Sequence, residues 1–534
     1  MVSRTMEEEM AETGKLAEKE QAETSKVEEL IKWEKIKPEV PELTGQVVTP
    51  KINPKASFHL TAQLLKNKDV LKRLGYPEML VPNWKEVFLK KMKEVLQKYR
   101  SVRLFMDICV RCGACTDKCH FYLGTSDPLN MPVARAELMR KIYRRYFTIG
   151  GKLFGKALAN AEELTEEMLV LWYVYFYQCS ECRRCSVYCP YGIDTAEITM
   201  AAREILNSVG LVQKYLHEII DKAQYVGNNL GMPPDAIRNT LEFVEDDLKE
   251  ETGEDIRIPI DEEGAEVLFV TPSADFFATP HIESLYGYAK VFHQAGISWT
   301  MSTYASEGGN FGLFIHHPTH MRVINKRIWD AARELKVKRI IAGECGHMWR
   351  VLCSMANTMW GPFDWLDKRY PVPQHICEFT LDLINKGALK IDKSANDEFT
   401  VTFHDSCQVA RGSEMGGTKY GVYEIPRAVI KAVCNKFYDM PENTIKEKTF
   451  CCGAGQGLLG DDMLPIRVKG FMPRAQALKY VSDKHGVNFI ALICAICKAQ
   501  MSKVVTYYGW PMDIVGGVHQ LVGRAIVLGA KEGV

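Results

Sequence analysis

Three short groups of cysteine stand near the C-terminus. Cys407 closes the run H-D-S-C, Cys451 and Cys452 lie in F-C-C-G-A-G-Q-G, and Cys494 and Cys497 form C-A-I-C-K. The groups are separated by 43 and then 41 residues. Ligand pairs of a local zinc knuckle lie much closer than that, so only the fold can bring these thiols together. Two adjacent cysteines do not easily point into one tetrahedral site. They can instead hold neighbouring irons of an irregular cluster, with one thiolate bridging.

Two further groups are regular. Cys109, Cys112, Cys115 and Cys119 stand at C-x2-C-x2-C-x3-C, and Cys179, Cys182, Cys185 and Cys189 repeat that spacing with Pro190 following. Three thiolates within one tight loop grip three corners of a cubane, while the fourth, after another short turn, ligates the other cluster of a pair. The expected ligand sets are therefore Cys109, Cys112, Cys115 and Cys189 for one [4Fe-4S] cubane and Cys179, Cys182, Cys185 and Cys119 for the second. His120 occupies the place where the usual motif has proline. A pair of four-cysteine zinc sites is the structural alternative, but structural zinc does not favour so evenly repeated a pattern. Arg183 and Arg184, between ligands, either stabilise a reduced cluster or are surface charges or partner contacts.

The C-terminal stretch resembles the CCG domain of heterodisulfide-reductase-type proteins, with somewhat longer gaps that read as loop insertions. That resemblance implies a non-cubane [4Fe-4S] cluster on Cys407, Cys451, Cys452, Cys494 and Cys497. Gly453, Gly455 and Gly457 form only a weak dinucleotide signature. Directly after a cysteine pair, they read as backbone wrapped close to the cluster, with the Gly453 and Gly455 region binding the cofactor. His404 and His347 are either proton donors or hydrogen-bonded structural histidines.

The elements that must position these residues follow from pattern. V-L-F-V-T-P-S at Val267 matches V-T-F-H-D-S-C at Val401, the run at Ala305 matches that at Phe450, and K-R-I-I-A-G-E-C at Lys338 matches V-N-F-I-A-L-I-C at Val487. Each copy alternates short apolar strands with amphipathic helices, so each is expected to be a small parallel α/β unit with ligands at strand ends. The first copy has Ser273 for Cys407, Ser306 and Glu307 for the cysteine pair, and Met348 for Cys497. It retains Cys345 opposite Cys494 and cannot hold a cluster of this type alone. If the copies face each other, the lost cluster leaves space beside the surviving one, with Cys345 and His347 lining the way in. Cys345 is then a substrate-facing thiol, a ligand reaching across, or a core residue.

Some sixty residues rich in helix formers separate the two ferredoxin motifs, a layout similar to the helical ferredoxin domains of succinate dehydrogenase and heterodisulfide reductase subunits. Met168 to Tyr177 is expected to be a buried helix running into Cys179. The fold class is thus α plus α/β: a helical two-cluster ferredoxin domain followed by two tandem CCG-type repeats, the first degenerate. The boundaries are 1–100 for an N-terminal helical extension and linker, 101–234 for the ferredoxin domain, and 263–395 and 400–525 for the repeats. Residues 1–37 suit an exposed helix or a solvated arm, prolines 38 to 54 mark an extended linker, and a helix with Leu64 to Leu74 follows. The lysine-rich segment Trp84 to Arg100 is either a docking helix for anionic surfaces or a solvated face. Residues 235 to 262, with Glu245, Asp246, Asp247, Glu250 and Glu251, read as an acidic linker.

Composition bounds the function. Lys plus Arg and Asp plus Glu are both 67 among 534 residues, so no positive field recruits nucleic acid. The N-terminus has no secretory apolar region, and the longest apolar run is ten residues, about half of a membrane span. Seventeen cysteines point to metal ligation in a reducing compartment, the cytoplasm.

Two ferredoxin motifs fused to CCG repeats resemble two related groups. These are the membrane-associated heterodisulfide reductase subunits and the DsrK subunits of the DsrMKJOP complexes of dissimilatory sulfur metabolism. The degenerate first copy favours the latter group, since the heterodisulfide reductases keep both copies intact. The resemblance implies electrons arriving from menaquinol through a membrane haem b subunit (DsrM-like), with further DsrMKJOP subunits. It implies their delivery to a disulfide or trisulfide on a small cysteine-tailed protein (DsrC-like), from a position on the cytoplasmic side of the membrane. This chain shows no flavin or NAD fingerprint. The alternatives are a heterodisulfide reductase acting on small thiol cofactors, the iron–sulfur subunit of a glycolate or glycerol-3-phosphate dehydrogenase, and a redox-silent scaffold.

Overall fold

The computed structural model of the protein describes residues 67–361, 365–369, 372–459 and 463–528. The N-terminal arm, the proline linker and the start of the helix read from Leu64 lie outside them. Asn67 caps the helix Lys68–Leu74 by accepting from the Val70 amide, and Gly75 ends it at φ 78°, a left-handed conformation that glycine adopts without strain.

The helical region is built around Thr195–Ser208. Asp194 caps this helix by accepting from the Ala196 and Glu197 amides, and Ile198, Ala201, Ile205 and Leu206 are fully buried. Helices Trp84–Lys98, Pro132–Phe147 and Glu166–Gln178 pack against it. The expected buried helix before Cys179 is present, with Trp172 and Phe176 fully enclosed. Each large side chain so buried contributes ~1.5–3 kcal/mol of transfer free energy. Trp84–Lys98 turns Phe88, Met92, Val95 and Leu96 into that core, so its apolar stripe faces the protein; Lys85, Lys90, Lys93 and Lys98 face outward, while the half-buried Lys91 pairs with Glu204 at 2.9 Å. No helix among the described residues is long and apolar enough to cross a membrane.

The acidic stretch after residue 234 is not a linker. Pro234–Thr252 is a helix that buries Ile237, Leu241, Val244 and Leu248. Those four recur at helical spacing, and the acidic residues that suggested a linker occupy the other faces.

Two parallel sheets follow. In the first, β1 (Val267–Val270) pairs with β2 (Trp299–Thr300) and β3 (Arg339–Ala342), and β3 pairs with β4 (Gln374–His375), in the order β2-β1-β3-β4. In the second, β6 (Phe489–Leu492) lies between β5 (Val401–His404) and β7 (Val515–Gly517). A parallel bridge between Val401 and Phe437 stands where β2 meets β1 in the first sheet. The repeats therefore share one topology. Strands β1, β3, β5 and β6 are buried along their whole length, as parallel sheets covered on both faces require.

The repeats pack by two matching contacts: Ile282–Ala295 on Val518–Ala525, and its counterpart Gly421–Val433 on Ile376–Asn385. Exchanging the repeats exchanges these contacts, which is the signature of a pseudo-two-fold. One apolar core spans both repeats, and a second runs from the helical region into the cysteine-bearing end of the second repeat. That continuity seats the ferredoxin loops against the CCG cysteines.

Candidate metal centres

The two ferredoxin loops turn tightly because several residues adopt left-handed φ, among them Arg111, Gly113, Glu181 and Arg183. The loops enclose two neighbouring cavities. One is lined by Cys109, Cys112, Cys115 and Cys189, the other by Cys119, Cys179 and Cys182, and Cys185 lines both. Each thus draws a fourth cysteine from the opposite motif. Cys112 is exposed, whereas Cys119, Cys179 and Cys182 are buried, so the first cavity faces outward and the second inward. Arg183 pairs with the helix-capping Asp194 at 2.6 Å. Arg184 stacks on Phe450 at 3.6 Å and donates to the Lys448 and Asn443 carbonyls. Both arginines tie elements together.

The five CCG cysteines converge because each follows the carboxyl end of a strand or leads into a helix. Cys407 opens the helix Cys407–Gly412 after β5. Cys494 caps Ala495–Val504 after β6, and Cys497 lies one turn on. Cys451 and Cys452 occupy the loop before Leu464–His485. All five are at most 3% exposed. Hydrogen bonds from Cys407 and then Cys452 hold the Cys451 thiol well below its ordinary range, against the opposing effect of burial. Cys452 in turn contacts Cys497, which contacts Cys494. The thiols therefore form one continuous group. Gly453, at φ 96°, donates its amide to Cys451 Sγ at 3.4 Å. A Cβ on Gly455 would lie 2.8 Å from the Ser180 carbonyl, so glycine lets this loop close on the ferredoxin motif.

His404 Nε2 lies 3.6 Å from Cys497 Sγ, and His347 Nδ1 lies 3.6 Å from Cys494 Sγ. Burial, with Arg474 nearby, keeps His404 well below the ordinary histidine range, so its ring is neutral. The other ring nitrogens, His404 Nδ1 and His347 Nε2, are buried without a protein partner, as is Ser406 Oγ. Such groups are costly unless something polar meets them. Five buried thiols beside orphaned polar atoms fit an iron–sulfur group of more than one iron. Among the described residues no three His, Cys, Asp or Glu groups have the spacing of a single-ion site; ligands of a multi-iron cluster bind different irons and need not share one point.

His120, noted in the sequence only as a departure from proline, stands between the two regions. Its Nε2 is 2.7 Å from Ser180 Oγ and its Nδ1 is 2.9 Å from the Gly470 carbonyl. It also interacts with the thiols of both Cys182 and Cys451. Helix His120–Thr125 reaches this place by crossing Leu464–His485 at two glycines. A Cβ on Gly124 would fall 1.9 Å from the Lys469 carbonyl, and one on Gly470 2.5 Å from the Phe121 ring. Further ties come from residues that sequence reasoning missed. Arg411 donates to the Cys182 carbonyl, Gln408 to the Glu181 carbonyl at 3.2 Å, and Arg203 to the Cys179 carbonyl at 2.7 Å. Nothing local in sequence marks these residues; each bonds a carbonyl far away in the chain, a contact that only the fold creates.

In the first repeat Ser273 and Cys345 occupy the strand ends equivalent to Cys407 and Cys494. The vacated positions are filled. Ser273 Oγ donates to Glu307 at 2.8 Å and lies 2.7 Å from Asn229 Oδ1, whose residue also donates its amide to Glu307. Met348, in the place of Cys497, is fully buried. Cys345 and His347 are 3% and 1% exposed, so neither meets solvent. Space left by the missing ligands has been taken up by side chains, not kept open.

A model of the 4Fe-4S dicluster domain matches residues 105–193, and one of the CCG cysteine-rich domain matches residues 401–502. The chain is 47% identical to the Hdr-like menaquinol oxidoreductase iron-sulfur subunit 2 of Archaeoglobus fulgidus, over 84% of this chain and 85% of that protein. It is 46% identical to the Hdr-like menaquinol oxidoreductase iron-sulfur subunit of Archaeoglobus profundus over the same shares. At 27% identity it also matches a polypeptide of the dihydromethanophenazine:CoB–CoM heterodisulfide reductase of Methanosarcina barkeri, over 74% of this chain and 88% of that one.

Proposed function

The chain belongs to the Hdr-like menaquinol oxidoreductase iron-sulfur subunits, and from that footing we propose that it carries electrons from a membrane haem b subunit (DsrM-like) to a sulfur–sulfur bond. The bond is a disulfide or trisulfide on a small cysteine-tailed carrier protein (DsrC-like), which makes the chain a DsrK-type subunit on the cytoplasmic side of the membrane. The observation that carries this reading is the junction of Cys182, His120 and Cys451, which links the inner ferredoxin cavity to the five-cysteine site while the outer cavity faces solvent at Cys112.

Two cubanes and one non-cubane cluster, when bound, supply one-electron carriers and a terminal iron site for sulfur. The chain's own residues do the rest. The outer loop presents Cys109, Cys112, Cys115 and Cys189 where a partner can approach. Arg203, Arg411 and Gln408 fix the inner loop against the second repeat. His404 and His347 hold the Cys497 and Cys494 thiols in place as hydrogen-bond partners, and their burial shields the site from water. Cleaving one sulfur–sulfur bond takes two electrons and two protons; a disulfide then yields two thiols, and a trisulfide yields one thiol and one persulfide. The first repeat keeps only Cys345 of the five ligand positions, so it does not hold a second cluster of this type, and the choice of a carrier protein over a small heterodisulfide rests on the resemblance to DsrK subunits.

A single-turnover experiment tests the proposal. The cluster-loaded chain is reduced, freed of reductant, and mixed with a peptide disulfide while the visible absorbance of the cubanes is followed. Reoxidation that is lost in Cys452→Ser supports the reading. Reoxidation at the same rate in that variant shows that sulfur chemistry does not occur at the CCG site.

A further inference from the structure

Helix Leu464–His485 carries Arg474 into the interior beside the five-cysteine site. The side chain is fully buried. Its Nη2 donates to the Thr444 carbonyl and to Thr449 Oγ1, each at 2.7 Å, and to the Phe450 carbonyl at 3.2 Å, one residue before Cys451. Thr449 Oγ1 in turn donates to the Asp405 carbonyl at 3.0 Å, two residues before Cys407. Nη1 donates to the Met440 thioether, a weak acceptor, and Nε is buried without a protein partner. The guanidinium braces two of the cysteine-bearing loops and still has a donor in reserve.

Its charge is not balanced by the protein. Among the described residues no carboxylate forms an ion pair with it. The carboxylate that acts on it most, Asp405, is held by Arg427 at 2.7 and 2.8 Å and by the Lys446 amide at 2.8 Å. Other fully buried cations differ: Lys498 has Glu344 at 2.6 Å, and Arg203 has Glu181 at 3.1 Å. Burial pulls the Arg474 guanidinium down to about 10, against the opposing effects of Asp405 and then of the Cys497 and Cys451 thiols. A charge taken out of water is costly unless an anion stands close by. The five thiols are the group left to supply it.

The inner ferredoxin cavity offers a parallel. Arg135 lines it and is 1% exposed. It donates to the Tyr175 carbonyl at 2.8 Å and to Asn130 Oδ1 at 3.0 Å, again with no carboxylate in an ion pair among the described residues. Two buried guanidiniums without carboxylates thus stand against two cysteine groups, where iron-bound thiolate and sulfide concentrate negative charge.

We propose that Arg474 is the counter-charge of the five-cysteine group, a positioning residue that stabilises its reduced, more negative state and so raises its midpoint potential. The inference rests on a cluster being held by those cysteines, and not on the identity of the sulfur substrate.

The test is a redox titration of the cluster-loaded full chain, following the electron paramagnetic signals of all three clusters alongside the iron count. In Arg474→Met the ratio of oxidised to reduced third cluster, at the wild-type midpoint, should rise roughly tenfold or more, a fall of about 59 mV or more for a one-electron couple. The two cubane potentials should not move. Met440→Glu sets a carboxylate against the guanidinium without removing it, and should shift the third cluster in the same direction. Met440→Gln, of similar size and uncharged, should stay within about twofold of wild type. Should Arg474→Met lose iron, Met440→Glu decides alone. About 12 iron atoms per chain with an unshifted third potential in Met440→Glu overturns the role of Arg474 while keeping the cluster; about 8 in the wild type removes the cluster and the role with it.

Discussion

Cys119 and Cys189 each leave the motif that carries them and join the cavity of the other. Spacing made that exchange legible, because a fourth thiol after an extra turn points away from its own loop. Cys119→Ala should therefore abolish the electron paramagnetic signal of the inner cluster and leave that of the Cys109 cluster intact; loss of the outer signal instead would reverse the assignment. His120 was not legible in the same way. Its role comes from contacts with Ser180, Gly470 and two thiols from distant parts of the chain. Glu307 illustrates what replaces a lost ligand. Burial raises its carboxyl to about 7, although bonds from Ser273 partly oppose this. A carboxyl raised on folding is tolerated best when protonated, so stability falls as pH climbs from the ordinary carboxylate range to about 7 and then levels off. Glu307→Gln should remove that dependence and raise stability above pH 7 by up to ~3 kcal/mol, measured by urea unfolding at several pH values. An unchanged pH profile in the variant would mean that the carboxylate is charged in the fold.

At the scale of elements, the strands and their duplication were readable because short apolar runs ended at matching cysteine or serine turns. β1 and β5, and β3 and β6, fall where the matched runs predict. The helix Pro234–Thr252 was misread because its acidic residues outnumber the four apolar positions that face the core. The crossing of His120–Thr125 with Leu464–His485 was invisible, since a lone glycine in a helix does not announce its neighbour. Gly124→Ala would place a methyl group 1.9 Å from the Lys469 carbonyl. Overpacking of this kind costs ~1–3 kcal/mol. The variant should unfold at correspondingly lower urea concentration and slow electron transfer from the inner cubane to the CCG site. Wild-type stability in Gly124→Ala would show that the two helices are not in contact.

At the scale of the molecule, the fold sets three cysteine groups in sequence: an outer one facing solvent, an inner one, and a buried five-thiol group behind His120. A shared core joins the helical region to the cysteine-bearing end of the second repeat, and the first repeat completes the scaffold. The order follows from packing, which no single motif encodes. Its central claim is that the five CCG cysteines hold a third cluster distinct from the two cubanes. Iron determination with Mössbauer spectroscopy tests this most directly, on wild type and on the Cys451→Ser/Cys452→Ser double variant. Three four-iron clusters require about 12 iron atoms per wild-type chain, and about 8 in the variant with both cubane spectra unchanged. About 8 in the wild type, or an unchanged count and spectrum in the variant, would contradict the account.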